Sequence, residues 1–194
     1  MTAAEEHRKV AGAFTERVLG TTDWDAPTPV DGWRARDVVD HLATWLPGFL
    51  EGHGIQGVGP GDLSAADDPV ATWQAHVASV QAFLDGPGAA QEISDPRLGT
   101  WVVGDLVDRI YTADVFMHTW DLAQATGQDD TLDPETCAAM LAGMEPMDAV
   151  LRESGQYGPR VEVPADADAQ TRLVGFIGRD PLWSAPARRS TPST

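Results

Sequence analysis

The feature that most constrains this chain is a helical stripe that is apolar except at two positions. Residues 102–125 hold the longest run of helical periodicity, with Val107, Ile110, Tyr111 and Ala125 recurring along one face. Asp114 and His118 fall on that same face, four residues apart. Four residues advance a helix about 6 Å and turn it only about 40° past a full turn, so both side chains leave one side together. A carboxylate on a stripe that has to be buried is costly unless it is paired or bound to a cation. A fold for this chain must bury that face and still give Asp114 a partner.

A second segment poses the same problem. Residues 35–46 predict a helix with Val38, Leu42 and Trp45 facing one way, and His41 stands among them; Pro47-Gly48 ends or kinks it. Residues 3–19 predict another helix, with Val10, Ala11, Phe14 and Val18 on its stripe. Residues 25–32, with two prolines and an Asp-Gly pair, are loop, and the glycine-rich residues 52–61 are expected to be exposed. Pro69 after Asp67-Asp68 opens a third helix through Leu84, with Trp73, Val77, Val80 and Leu84 as its stripe. Residues 86–100 are a connecting loop with a short extended piece at Glu92-Ile93. Gly127 closes the long helix as a left-handed cap.

Asp133-Pro134-Glu135 opens a fifth helix to about Arg152, with a kink at Pro146. A short strand at residues 161–163 and a last helix over 167–177, capped by Gly178, complete the expectation. The Ser, Thr, Pro and Arg tail, residues 184–194, has nothing to bury and is expected to be disordered. Long amphipathic helices joined by loops predict an all-α antiparallel bundle. One domain over residues 1–183 is expected, ending in a short C-terminal α/β extension.

Charge excludes some partners. Thirteen basic residues against thirty acidic ones leave a formal −17, and Lys9 is the one lysine. Such a surface repels nucleic acid and anionic membranes. Cys137 is alone, so neither an intrachain disulfide nor a thiolate zinc cluster can form, which fits a reducing compartment. The first ten residues lack the order of a signal peptide and no apolar run approaches the ~20 residues of a span, so a cytoplasmic protein is expected.

Two helices facing each other would bring His41, Asp114 and His118 together. Two histidines and a carboxylate leave positions open on a metal ion for water or substrate. Zinc takes this set as a Lewis acid and iron(II) takes it as a facial triad, so spacing alone leaves open both the metal and the alternative of a hydrogen-bonded trio. Asp121, one turn past His118, is a candidate helper that could orient a ligand, or equally a surface charge or helix contact. Tyr111, one turn before Asp114, could line the open side and hydrogen-bond a substrate, or be a core tyrosine. His7 is expected to be a partly exposed helix-end residue, His76 a hydrogen-bonded core-edge residue and His53 a solvated one. Residues 52–57 match a dinucleotide fingerprint by letter, but they follow a helix with no βαβ unit around them. Cys137, among acidic neighbours, is a poor nucleophile.

Longer strings narrow the choice. The segment from Gly32 to Trp45 (GWRARDVVDHLATW) and that from Asp114 to Gly127 (DVFMHTWDLAQATG) resemble the two signatures of the DinB-like metalloprotein superfamily. Within it, the likeness is to the metal-binding domain of mycothiol-dependent maleylpyruvate isomerase and its actinobacterial relatives. The closing run VEVPADADAQTRLVGFIGRDP is similar to that group's ending. The resemblance implies a DinB-like four-helix bundle holding one divalent metal, zinc with nickel or iron as alternatives, on His41, Asp114 and His118. It also implies mycothiol as a cofactor and a metal-dependent enzyme that activates a low-molecular-weight thiol, or water, for transfer or isomerisation. Where the isomerase has Glu and His on the later helix, this chain has Asp114 and His118, and only the stretch after Gly155 stands where the isomerase has a larger C-terminal domain. A metal- or ligand-binding protein without turnover is the alternative. The partners implied are a small-molecule thiol or electrophilic substrate, and a homodimer would cover exposed tryptophans.

Overall fold

Four of the helices, those starting at Ala3, Pro69, Pro134 and Ala169, begin where a side chain satisfies one or more of their first free N–H groups. Thr2 Oγ1 accepts from the Glu5 N–H while the Glu5 carboxylate accepts from the Thr2 N–H, a reciprocal cap that starts α1, Ala3–Gly20. Asp68 accepts from the Ala71 N–H at 2.9 Å and starts α3, Pro69–Asp85. Asp133 accepts from Glu135 and Thr136 and starts α6, Pro134–Met144. The computed structural model describes residues 1–185; of the expected tail, residues 186–194 lie outside the described residues.

Between these, α2 spans Ala35–Gly52 and continues through Pro47, past the expected end at residue 46. Proline removes one backbone donor, but Leu46 and Leu50 on either side of it are both core residues, and their burial carries the helix on. In the loop that follows, Ile55 and Val58 are buried, so the glycine-rich stretch is only partly exposed. The region 86–100 is more ordered than expected. Strands β1, Glu92–Asp95, and β2, Gly99–Val102, form an antiparallel hairpin in which Glu92 faces Val102 and Asp95 faces Gly99.

The expected long helix is present in three joined pieces: α4, Val103–Leu106, a π-helical segment, Val107–Thr112, and α5, Ala113–Thr126. Gly127 closes it at φ 66°, as its lack of a Cβ allows. At Pro146 the fifth predicted helix breaks into α6, a 3-10 turn over Glu145–Met147, and α7, Asp148–Glu153. Residues 161–163 are not a strand. The Val161 N–H donates instead to the Gly175 carbonyl, so this stretch lies along the last helix, α8, Ala169–Phe176. A side chain at Gly175 would sit 2.8 Å from the Val161 carbonyl oxygen, and only glycine permits that approach.

Among the described residues the structure is thus mostly helical with one small sheet. α1 packs on α3, α5 and the π segment, α2 packs on α3 and α5, and α6 packs on α8. Phe14 of α1 meets Trp73 of α3 edge-on, with ring centroids 4.5 Å apart. Trp73 and Trp120 are buried, and the other tryptophans are half-buried. No helix among the described residues is long and apolar enough to cross a membrane.

The histidines outside the expected trio are more enclosed than expected. His7 is fully buried, its Nδ1 2.8 Å from Gln81 Oε1 and its ring against Tyr111. His53 is held between the Phe49 carbonyl and Asp95 of the hairpin. His76 is buried with Nε2 2.7 Å from the Tyr111 hydroxyl. Burial, and then the charge of nearby His7, push the His76 pKa from 6.5 down to about 3. The folded chain therefore refuses a proton that the unfolded chain accepts, and stability is lost as pH falls from 6.5 towards 3. Urea titrations should show wild type losing roughly 2–3 kcal/mol more than His76→Gln between pH 7 and about pH 4.5. An equal loss in both proteins would contradict the assignment.

Candidate metal centre

The packing of α2 on α5 sets His41 opposite Asp114 and His118. His41 Nε2 lies 3.0 Å from Asp114 Oδ2, and His118 Nε2 lies 3.5 Å from Asp114 Oδ1. One donor atom from each of the three residues lies within 4.8 Å of the others. Donors around a tetrahedral ion with bonds of about 2.0–2.1 Å stand about 3.3 Å apart, so small side-chain rotations suffice to close such a shell. The side chains of His41, Asp114 and His118 are 31%, 20% and 6% exposed, so the trio opens to solvent on the α2 side and is closed behind His118.

Aromatic rings wall the trio. Trp33, in the turn before α2, stacks on His118 with centroids 5.6 Å apart and planes at 16°, and its ring lies 5.0 Å from that of His41. Trp45, one turn after His41, donates its indole N–H to Asp114 Oδ2 at 2.9 Å and fixes the carboxylate. Trp33 also lines an open cleft of about 580 Å³, together with Asp25, Asp31, Arg34 and Trp183.

Behind His118 is a second layer. His118 Nδ1 donates to Asp121 Oδ2 at 2.8 Å, which leaves Nε2 to face Asp114. Arg179 grips the same carboxylate, Nε to Oδ1 at 3.0 Å and Nη2 to Oδ2 at 3.2 Å. Asp121 therefore stands where a ligand-orienting residue would, not on the surface. Tyr111 takes the core position, fully buried with its hydroxyl on His76, and burial followed by the charge of Asp114 raises its pKa well above 10.

Charge balance shows what the trio asks for. Burial opposes ionisation of Asp114, yet His118, His41 and the Trp45 N–H outweigh it and lower its pKa. Burial likewise opposes a charge on His118, yet Asp114 and Asp121 outweigh it, against Arg179, and raise its pKa. The arrangement favours a positive charge between carboxylate and imidazole, which a proton or a divalent cation can supply, and the two compete. The donor set of two imidazoles and one carboxylate fits zinc, nickel or iron.

Two residues near the centre were missed from sequence. Arg179 lies 58 positions from its partner. Its one signal was indirect, since Asp121 on a buried stripe demands a cation. Tyr157 is half-buried, and burial, then the field of Asp114, push its phenol up to about 12, partly offset by Arg179 and Arg152. Cys137 lies elsewhere, and burial, then Asp133 and Asp168, push its thiol up to about 11, so it is not a nucleophile.

Residues 4–123 match the family described as the mycothiol maleylpyruvate isomerase N-terminal domain. Uncharacterised proteins from two strains of Mycobacterium tuberculosis are each 31% identical over 178 residues, covering 89% of this chain and 95% of the relative. No solved structure matches.

Trp45 gives the first test of the centre. Trp45→Phe keeps a ring but frees Asp114 Oδ2, and should weaken zinc binding about 10- to 100-fold in competition titrations with the fold intact. Unchanged affinity would remove Trp45 from the account.

Proposed function

The chain belongs to the mycothiol maleylpyruvate isomerase N-terminal domain family, and from that premise we propose that it is a divalent-metal-dependent enzyme acting on a low-molecular-weight thiol. His41, Asp114 and His118 hold the ion, zinc in the first instance with nickel or iron as alternatives. In this reading residues 1–183 form one DinB-like four-helix bundle with its C-terminal extension, working in the cytoplasm. The observation that carries it is the convergence of the three donors at a helix seam open on one side.

A divalent ion held by His41, Asp114 and His118 would supply Lewis acidity there, enough to make a thiol or water beside it more acidic at neutral pH. The protein's own groups do the rest. Asp121 keeps the hydrogen on His118 Nδ1, the Trp45 N–H holds Asp114, and Trp33 covers the His118 ring and keeps water from that face. The exposed edge of His41 and Asp114 is where a small thiol and its electrophilic substrate enter. Mycothiol is the cofactor this reading favours, on the strength of the family's description.

A second reading is a metal- or ligand-binding protein without turnover. It is favoured by the two expected helpers: Tyr111 and Asp121 are both buried, one tied to His76 and the other to His118 and Arg179. Neither is free to move a substrate proton.

Elemental mass spectrometry of freshly purified protein should find close to one equivalent of zinc, nickel or iron, and His118→Ala should lose it. No metal in either, with no uptake of added zinc, would overturn the reading. Consumption of an electrophile that depends on both metal and mycothiol separates the enzyme from the binder.

A further inference from the structure

Asp121 is completely buried, and a buried carboxylate must have its charge and lone pairs answered. His118 answers with a single hydrogen bond at 2.8 Å. Arg179 answers with two, Nε to Oδ1 and Nη2 to Oδ2, and a two-pronged guanidinium fixes the plane of the carboxylate as well as its charge. That plane determines where Asp121 Oδ2 presents its lone pair to the His118 ring. The ring in turn determines where Nε2 points, and here it points at Asp114.

Arg179 is itself held in place by its local fold. α8 ends at Phe176, and Gly178 turns the chain at φ 86°. A side chain at Gly178 would stand 2.9 Å from the Pro159 carbonyl oxygen, so the turn admits only glycine. The Arg179 N–H then donates to the Val174 carbonyl at 3.0 Å and Nη1 donates to the Ile177 carbonyl at 3.3 Å. Two other residues of this late stretch lie nearby: Trp183 lines the cleft beside Trp33, whose ring stacks on His118, and Tyr157 feels the charges of Asp114 and Arg179. None of the three belongs to the span matched by the family, residues 4–123.

We propose that Arg179 is a positioning residue of the metal centre, fixing Asp121 so that His118 keeps its hydrogen on Nδ1 and aims a bare Nε2 at the ion. The turn after α8 is then a working part of a centre whose ligands all come from α2 and α5. This rests on the metal reading above, and the test separates the two.

Wild type, Arg179→Met and Arg179→Lys would be compared by zinc competition titration, thermal unfolding, and nitrogen NMR of His118 in the metal-free protein at a pH where the ring is neutral. Methionine keeps length and loses charge and donors. Lysine keeps charge as a point and cannot make the two-pronged grip. Wild type should show the Nδ1–H form of His118, and R179M a mixture of both forms with zinc bound about 10- to 100-fold more weakly. R179K should regain thermal stability while remaining mixed at His118 and weak for zinc. Wild-type affinity and an unmixed ring in R179M, whatever its melting temperature, would reduce Arg179 to a staple for α8 and overturn the proposal. Should R179M not fold, R179K decides on the same two readouts, with wild-type values overturning it. If wild type itself binds no zinc, the metal reading fails, and the His118 form in the variants still decides whether Arg179 acts through Asp121.

Discussion

A carboxylate wedged between two imidazoles at the seam of α2 and α5 is an expensive thing for a helical core to hold. On its covered sides Asp114 is held by His41, His118 and the Trp45 indole, and each contact is bought with side-chain order. The surrounding structure is arranged to keep those three partners in place. α2 runs through Pro47 while Leu46 and Leu50 remain in the core, and α5 is pinned by Gly127 at one end. Removing one partner would leave a half-buried charge less fully answered, so this seam is where helix packing and site chemistry are the same constraint.

The polar groups form layers with increasing burial. The outermost is the open edge of His41 and Asp114, the next is His118 under Trp33, and the innermost is Asp121, which is fully buried and gripped by a half-buried Arg179. The open edge of His41 and Asp114 is where a ligand could be met, while Asp121, with no exposure, can act only through His118. On the far side of Tyr111, His76 and His7 make a separate buried polar cluster in which burial disfavours the charged form of both rings. The two clusters meet at Tyr111, whose ring also lies against Trp45.

Much of this was legible in sequence because it is local. Caps at Asp68 and Asp133, the left-handed turn at Gly127 and the break at Pro146 all depend on residues within a few positions. The trio was legible as polar residues on apolar stripes, and the resemblance supplied the pairing between helices. What was missed depends on distant contacts. The π segment over Val107–Thr112 leaves no mark in a 3.6-residue pattern, because tertiary packing decides the wider turn. His7 looked like a helix-end residue until α3 and Tyr111 covered it. The hairpin at residues 92–102 is too short to show strand alternation, and Arg179 finds Asp121 only after the chain has folded.

The most direct measurement is X-ray absorption fine structure on zinc-loaded protein, before and after addition of a small thiol. The account predicts two imidazole nitrogens with oxygen donors at about 2.0–2.1 Å and no sulfur at first, since Cys137 lies buried away from the trio. Addition of the thiol should then bring one sulfur neighbour at about 2.3 Å. A first shell without imidazole, or one that stays free of sulfur at saturating thiol, would contradict it: the former removes the His41–Asp114–His118 centre, and the latter removes thiol activation from its function.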